Sequence, residues 1–230
     1  MLDSTDQEGV FLQKEADAWF SRNFPQAPVA VSEGNGVLRA LRNVGLGPTG
    51  TLLDVGGGPG HLSAGFLREY PAWRCTVLEP SAKAISAGRI AFPQLQFAQG
   101  SIAQRTGFPR AAHDLVIVSG VFSWVDRVLL AQAVANVDGA LKDGGLLVIA
   151  DFDPPYLRAN PYHHHPGLFT YKQDYCAVFG ALGIYHVLYR HAEMLDGHTS
   201  SDKSDPYDRQ WASAILRKDL YSRYARSTSP

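Results

Sequence analysis

Cysteine is almost missing from this chain. Cys75 and Cys176 are the only two in 230 residues, far apart and in no metal-ligand spacing, which excludes a disulfide framework and makes a reducing cytoplasm the expected compartment. No run approaches the ~18 apolar residues of a membrane span. The opening Met1–Asp6 is acidic and lacks the basic start and apolar stretch of a secretory leader, so none is expected. Neither sign of charge is in excess: 21 Lys+Arg face 22 Asp+Glu. That balance argues against a protein held on nucleic acid mainly by phosphate contacts. Internal repeats and low-complexity tracts are also lacking.

What is present is an ordinary globular balance, 45% hydrophobic and 19% charged, enough to build one sizeable core over residues 1–230. Leu12, Ala16, Trp19 and Phe20 fall at helical spacing and predict an amphipathic helix over Val10–Asn23, ended by Pro25 and Pro28. Val37, Leu38, Leu41 and Val44 predict a second, stopped at Gly45. Apolar runs then recur at Thr51–Val55, Cys75–Leu78, Leu95–Ala98, Leu115–Val118 and Leu146–Ala150. Helical stripes lie between several of them, one carrying Val128, Leu129, Gln132, Ala133, Val137 and Leu141. Buried parallel strands read as continuous apolar runs joined by crossover helices. The fold class is therefore α/β, a three-layer sandwich around a mostly parallel sheet.

The last third reads differently. Tyr171, Tyr175, Val178, Phe179 and Leu182 form a stripe, with Thr170 and Gln173 spaced as a capping box. Ile184–Leu195 and Gln210–Arg217 read as strands joined directly by the polar loop Asp196–Arg209, hence an antiparallel pair at the sheet edge.

Asp54-Val55-Gly56-Gly57-Gly58-Pro59-Gly60 follows a strand and precedes a helix. Glycine is needed where backbone takes positive φ or approaches a ligand closely, and open α/β sheets bind ligands at the carboxyl ends of their strands. Glu79 ends the second strand, about 20 residues beyond the glycines, where a ribose-hydroxyl acceptor belongs. The third glycine of a dinucleotide fingerprint is replaced by His61, and no phosphate-binding Lys or Arg is near. A cationic, phosphate-free adenosyl cofactor suits Asp54 better than a pyrophosphate does.

These segments resemble class I S-adenosylmethionine (SAM)-dependent methyltransferases, over roughly Leu38–Lys218. Leu52–Ser63 (LLDVGGGPGHLS) resembles that family's first motif, Val77–Ser81 (VLEPS) its second, Phe97–Ile102 its adenine-side segment, His113–Phe122 its fourth strand, and Ala140–Phe152 the helix-turn-strand that follows. The resemblance implies a seven-stranded Rossmann-like sheet with an antiparallel last strand, and SAM as cofactor. It implies that Gly56, Gly58 and Gly60 shape the cofactor turn with Asp54, that Glu79 and Pro80 hold the ribose side, and that Ser101 and Ile102 flank the adenine. Ser119 and Gly120 fall near the methionine moiety. The family often has Asp where Ser101 stands. Residues 1–45 are expected to form a helical lid, with Arg22 pairing to the cofactor carboxylate.

On the substrate side, residues 153–175 read as an insertion at the ligand-bearing end of the sheet. It holds Tyr162-His163-His164-His165. An oxygen or nitrogen nucleophile needs a proton acceptor, and a neutral histidine near pH 7 suits that task, so His163 or His164 is the expected base. Trp19, Tyr162, His165, Tyr171 and Lys172 are the expected substrate contacts, although Tyr171 and Tyr175 also fit a core-facing stripe. Three consecutive histidines cannot converge on one ion without strain, so no metal is expected. Asp153-Pro154-Pro155-Tyr156 matches a DNA adenine methylation signature, but it follows the fifth strand rather than the fourth and reads as a rigid loop exit. The expectation is a monomeric or homodimeric methyltransferase of a small sugar or secondary metabolite. A nicotinamide-dependent oxidoreductase and a non-catalytic SAM-binding protein are the rivals.

Overall fold

The computed structural model describes residues 6–104, 109–195, 205–222 and 224. Residues 196–204 of the expected polar loop lie outside them. β1 (Thr51–Val55), β2 (Arg74–Glu79), β3 (Gln96–Gln99), β4 (His113–Ser119), β5 (Leu141–Phe152), β8 (Tyr185–Met194) and β9 (Gln210–Lys218) form one sheet in the order β3-β2-β1-β4-β5-β9-β8. β1 through β5 pair in parallel, and β9 runs antiparallel to both β5 and β8. The seven-stranded sheet and reversed last strand agree with the sequence reading, and the last two strands lie within a residue of their expected bounds. No described helix is long and apolar enough to cross a membrane.

Successive strand residues point to opposite faces, and the core divides accordingly. Leu53, Val55, Val116, Val118, Leu147 and Ile149 pack with α6 (Leu130–Ala140) and α7 (Tyr175–Gly180). Leu52, Val77, Leu115, Ile117, Leu146 and Val148 pack with α3 (Gly36–Val44) and α4 (His61–Glu69). α5 (Ala82–Ala91) packs on β2 and β3. Both cysteines are free and buried.

The N-terminal helix begins earlier than its apolar stripe indicated. α1 (Gln7–Val10), a π-turn over Phe11–Glu15 and α2 (Ala16–Asn23) run on continuously. Asp6 starts the run, its carboxylate accepting from the Gly9 amide. The segment expected to be one long helix is a 3₁₀ turn, Arg127–Leu129, capped by Asp126, followed by α6.

A β-hairpin not anticipated from sequence, β6 (Arg158–Pro161) with β7 (Phe169–Lys172), stands after β5. The Thr170/Gln173 capping box is therefore corrected. Thr170 and Tyr171 are strand residues, and Asp174 caps α7 by accepting from the Ala177 amide. Beneath the hairpin Asn160, Lys172 and Asp208, all buried, form a bonded group, with Lys172 Nζ 2.7 Å from the Asp208 carbonyl and 3.0 Å from its carboxylate.

Candidate cofactor site

The glycine turn is held from three sides. Gly56 (φ 62°), Gly58 (φ 57°) and Gly60 (φ 81°) take left-handed backbone, which L side chains resist by ~1–2 kcal/mol each. The Gly56 amide donates to the Leu78 carbonyl at 2.7 Å. The Gly58 amide donates to Glu79 Oε2 at 2.9 Å, while Ser81 donates its amide to Oε1 at 2.8 Å. Gly60 is the N-cap of α4.

Glu79 is 7% exposed. Burial pushes its carboxyl up to about 7, against the pull of the Ser81 and Gly58 amides. A carboxyl tied at one lone pair per oxygen still has free lone pairs for a neighbouring diol.

A cavity opens along the carboxyl ends of the strands. Gly120 lies at its β4 end, Gly56 beyond β1, Glu79 and Pro80 beyond β2, and Ser101 with Ile102 beyond β3. All six were expected cofactor contacts. Glu8, Phe11, Ala16 and Trp19 of the N-terminal helix close the opposite side, so Trp19 also falls in the site. The helix is pinned at both ends. The Gln7 side chain bonds the carbonyls of Trp124 and Phe169 and accepts from the Phe169 amide. Asp17 Oδ1 accepts from the Ser81 hydroxyl at 2.6 Å and the Lys83 amide at 3.1 Å.

Other expected contacts lie elsewhere. Asp54 shares the sheet face of Leu52, not the crevice. Its carboxylate accepts from the Ser63 hydroxyl at 2.7 Å in the first turn of α4, fully buried, with its pKa raised to about 6 by that burial. It supports the turn from below. Gly58 and Gly60 shape the turn without lining the cavity, and Ser119 stops short of it. Arg22 does not reach the cavity. It pairs with Glu15 and donates to the Tyr162 hydroxyl at 2.6 Å.

The substrate-side expectations fare less well. His163 and His164 are exposed, lie with ring centroids 3.8 Å apart and planes tilted by 42°, and line no part of the cavity. His165 bonds the Pro166 carbonyl through Nδ1 at 2.9 Å. Tyr162 sits one layer back, edge-on to Trp124 at 4.8 Å, and Trp124 lines the cavity. Tyr171 lies under the Arg127 guanidinium at 4.4 Å, and Lys172 is the buried partner of Asp208. Asp153 of the DPPY segment takes a bidentate bond from Arg190, a structural role in keeping with a rigid exit.

Sequence reasoning missed Glu8, Phe11, Val121 and Trp124 in the lining. The Asp6 cap was the available signal for Glu8, while Phe11 lay within the expected helix without being singled out. No Lys, Arg or His is among the described lining residues, so the wall offers no cation to a pyrophosphate.

A family model described as a methyltransferase domain matches residues 52–145. Trans-aconitate 2-methyltransferase of Azoarcus sp. (strain BH72) is 29% identical over 120 residues, covering 50% of this chain and 45% of that protein. The chain spans less than half the length of the curated relatives it matches. Among solved structures, the N-methyltransferase NodS of Bradyrhizobium japonicum WM9, in complex with S-adenosylhomocysteine, superposes with TM-score 0.58 at 17% identity, covering 93% of this chain and 99% of that one. The [4+2]-cyclase SpnF superposes with TM-score 0.64 at 14% identity, covering 96% and 99%. That cyclase shows the fold hosting a chemistry other than methyl transfer, so the architecture alone does not fix the activity. The glycine turn and the second-strand acid both lie inside residues 52–145, the segment that matches the methyltransferase-domain model.

Proposed function

We propose that this protein transfers the methyl group of SAM to an oxygen or nitrogen atom of a small metabolite. The observation that carries the reading is Glu79, braced by the Gly58 amide, in a cavity whose described lining holds no Lys, Arg or His. It offers a buried acceptor for a ribose diol and, among the described lining residues, no cationic side chain for a phosphate. The cofactor, when bound, supplies an activated methyl on a sulfonium. Pro80 and Ile102 would flank the base, Glu79 the ribose, and the Gly56 and Gly120 backbone the amino-acid end. Phe11, Trp19 and Trp124 would exclude water and hold the acceptor near the ~3–3.5 Å attack distance.

The acceptor class is narrowed by what lines the cavity. Glu8 and Glu79 are the only titratable groups among its described residues, and Glu79 is engaged by the turn. A carboxylate oxygen arrives already deprotonated, so it needs no base, but its counter-charge would have to come from outside the described lining, which holds no Lys, Arg or His. The names of the curated relatives, trans-aconitate 2-methyltransferases, favour that acceptor.

Calorimetric titration with SAM and S-adenosylhomocysteine tests the cofactor, and methyl-labelled SAM with fractionated metabolites tests the transfer. A single labelled compound is expected. Binding without labelling would favour the non-catalytic reading, and a fluorescence response to NADH with none to SAM would favour the oxidoreductase.

A further inference from the structure

The lid helix is interrupted where it crosses the cavity. Its cavity-facing residues are Glu8, Phe11, Ala16 and Trp19. From Glu8 to Phe11 and from Ala16 to Trp19 the step is three residues, as on one face of an α-helix, but from Phe11 to Ala16 it is five. The π-turn over Phe11–Glu15 makes up the difference, and its closing bond runs from the Ala16 amide to the Phe11 carbonyl. Such turns are rare and occur mostly as single interruptions of α-helices, frequently at functional sites.

The interruption decides which side chains face the ligand. Were the helix to continue from Phe11 as unbroken α, each residue beyond the turn would take the place now held by its successor, a rotation of ~100° and a shift of ~1.5 Å. Glu15 would replace Ala16 at the cavity, and Ala18 would replace Trp19. Ala16 would replace Asp17, leaving the Ser81 hydroxyl and the Lys83 amide without their acceptor. Lys14 and Ser21 would stand beside Tyr162 where Glu15 and Arg22 now stand.

A latch holds the interrupted register. Glu15 is buried, accepts from the Tyr162 hydroxyl at 2.9 Å and pairs with Arg22, which donates to the same hydroxyl at 2.6 Å. Tyr162 belongs to the hairpin tip, and its ring meets Trp124 in the cavity wall. We infer that the lid opens by a register slip: the π-turn relaxes to α, α2 rotates, and Ala18 takes the place of Trp19 over the cavity. The Glu15–Tyr162 bond keeps the closed register. The Gln7 pin precedes the turn and is untouched. The slipped state forfeits the latch and the Asp17 pin, so it is the minor one, and a ligand that touches Trp19 favours the closed register further.

Deleting Gln13, an exposed residue of the turn, tests the slip. The shortened helix runs on as α with Glu15, Ala16, Asp17 and Trp19 in their closed places, so the turn has no insertion left to expel. Stopped-flow displacement should show S-adenosylhomocysteine leaving the deletion variant about threefold more slowly or less readily still. Tyr162→Phe keeps the ring on Trp124 but loses the latch, and should release the ligand about tenfold faster, the worth of a hydrogen bond to a charged group. On the deletion background the same substitution should change release by less than about twofold, because the latch then has no slip to prevent. Melting temperatures report that the variants are folded. Release from the deletion variant at the wild-type rate, or equal acceleration by Tyr162→Phe with and without Gln13, would make the lid a rigid hinge and overturn the proposal. A deletion variant that does not fold would make the turn fixed architecture and overturn it equally.

Discussion

The Gly58 amide lies 2.9 Å from the Glu79 carboxylate, which makes the turn after β1 and the acid ending β2 a single unit. The acid fixes the turn, and the turn holds the acid in place. Removing Glu79 therefore removes a ligand contact and a support for the cradle at once. Glu79→Ala should weaken SAM binding by about tenfold or more. Glu79→Gln keeps one acceptor oxygen and should fall between the two. Calorimetry on each variant checks the order, and unchanged affinity in Glu79→Ala would remove the acid from the site.

The same carboxyl makes stability depend on pH. In the unfolded chain Glu79 releases its proton near 4.5, whereas in the folded protein burial holds it up to about 7. Between those values the folded state binds more protons, so this contribution is complete below the unfolded value and is lost as pH rises through about 7. Asp54 and Asp151, raised to about 6 by burial, act in the same direction. His61 and His113, lowered by burial, oppose it. Referencing the wild type to Glu79→Gln cancels these other groups. The difference in unfolding free energy should fall by about 1 kcal/mol between pH 6 and 8, a shift of roughly 2–4 °C in thermal midpoint. A difference flat across that interval would mean that Glu79 is ionised throughout.

Alanine at the glycines separates backbone strain from crowding. Gly56 and Gly58 have nearly the same positive φ, but a Cβ on Gly56 would sit 2.5 Å from Val121 Cγ2, while one on Gly58 meets nothing within 4 Å. Gly58→Ala should lose ~1–2 kcal/mol from the left-handed backbone alone. Gly56→Ala adds overpacking of ~1–3 kcal/mol and pushes a wall residue into the cavity. Chemical denaturation should rank them accordingly. Val121→Ala on the Gly56→Ala background should recover the crowding part, and no recovery would place the damage in the backbone.

The strands and the cofactor turn were legible in the sequence because period and punctuation encode them. TLLDV, the glycines and Glu79 stand in an order that few other arrangements satisfy. Asp54 was misplaced because a carboxylate beside a glycine turn reads as a ligand contact until side-chain parity is applied, and parity sends it under α4 with Leu52. The helix start was missed because Glu8 precedes the expected Val10–Asn23 helix and only Asp6 announces it. The histidine run misled for a different reason. Composition locates it at the ligand-bearing end of the sheet but does not say which way a hairpin tip faces. Lys172 was read as a substrate contact, and its partner Asp208 lies across a long loop that no local pattern connects to it.

The exposed pair His163 and His164 should be dispensable. Surface substitutions away from packed features change free energy by about 0.5 kcal/mol or less. Alanine at both positions should therefore keep methyl incorporation within about twofold of wild type, with SAM affinity unchanged. A fall of about tenfold or more, at constant affinity, would mean that the tip swings over the cavity during turnover and would restore the histidines as a base.

Asp17 is the pin between the lid and the cofactor cradle. Its Oδ1 accepts from the Ser81 hydroxyl and the Lys83 amide, and the Ser81 amide in turn bonds Glu79. The Gln7 pin at the far end of the helix is independent of it, so loss of Asp17 should loosen the lid over Glu79 without detaching it. Asp17→Ala should release S-adenosylhomocysteine about three to ten times faster, equivalent to one hydrogen-bonded contact of ~1 kcal/mol, while the melting temperature changes little. Asp17→Asn keeps an oxygen acceptor for Ser81 and should release at close to the wild-type rate. Stopped-flow displacement followed by the fluorescence of Trp19, which lines the cavity, measures both variants. If Asp17→Ala released the ligand no faster than wild type, the helix would be a fixed wall rather than a closing element.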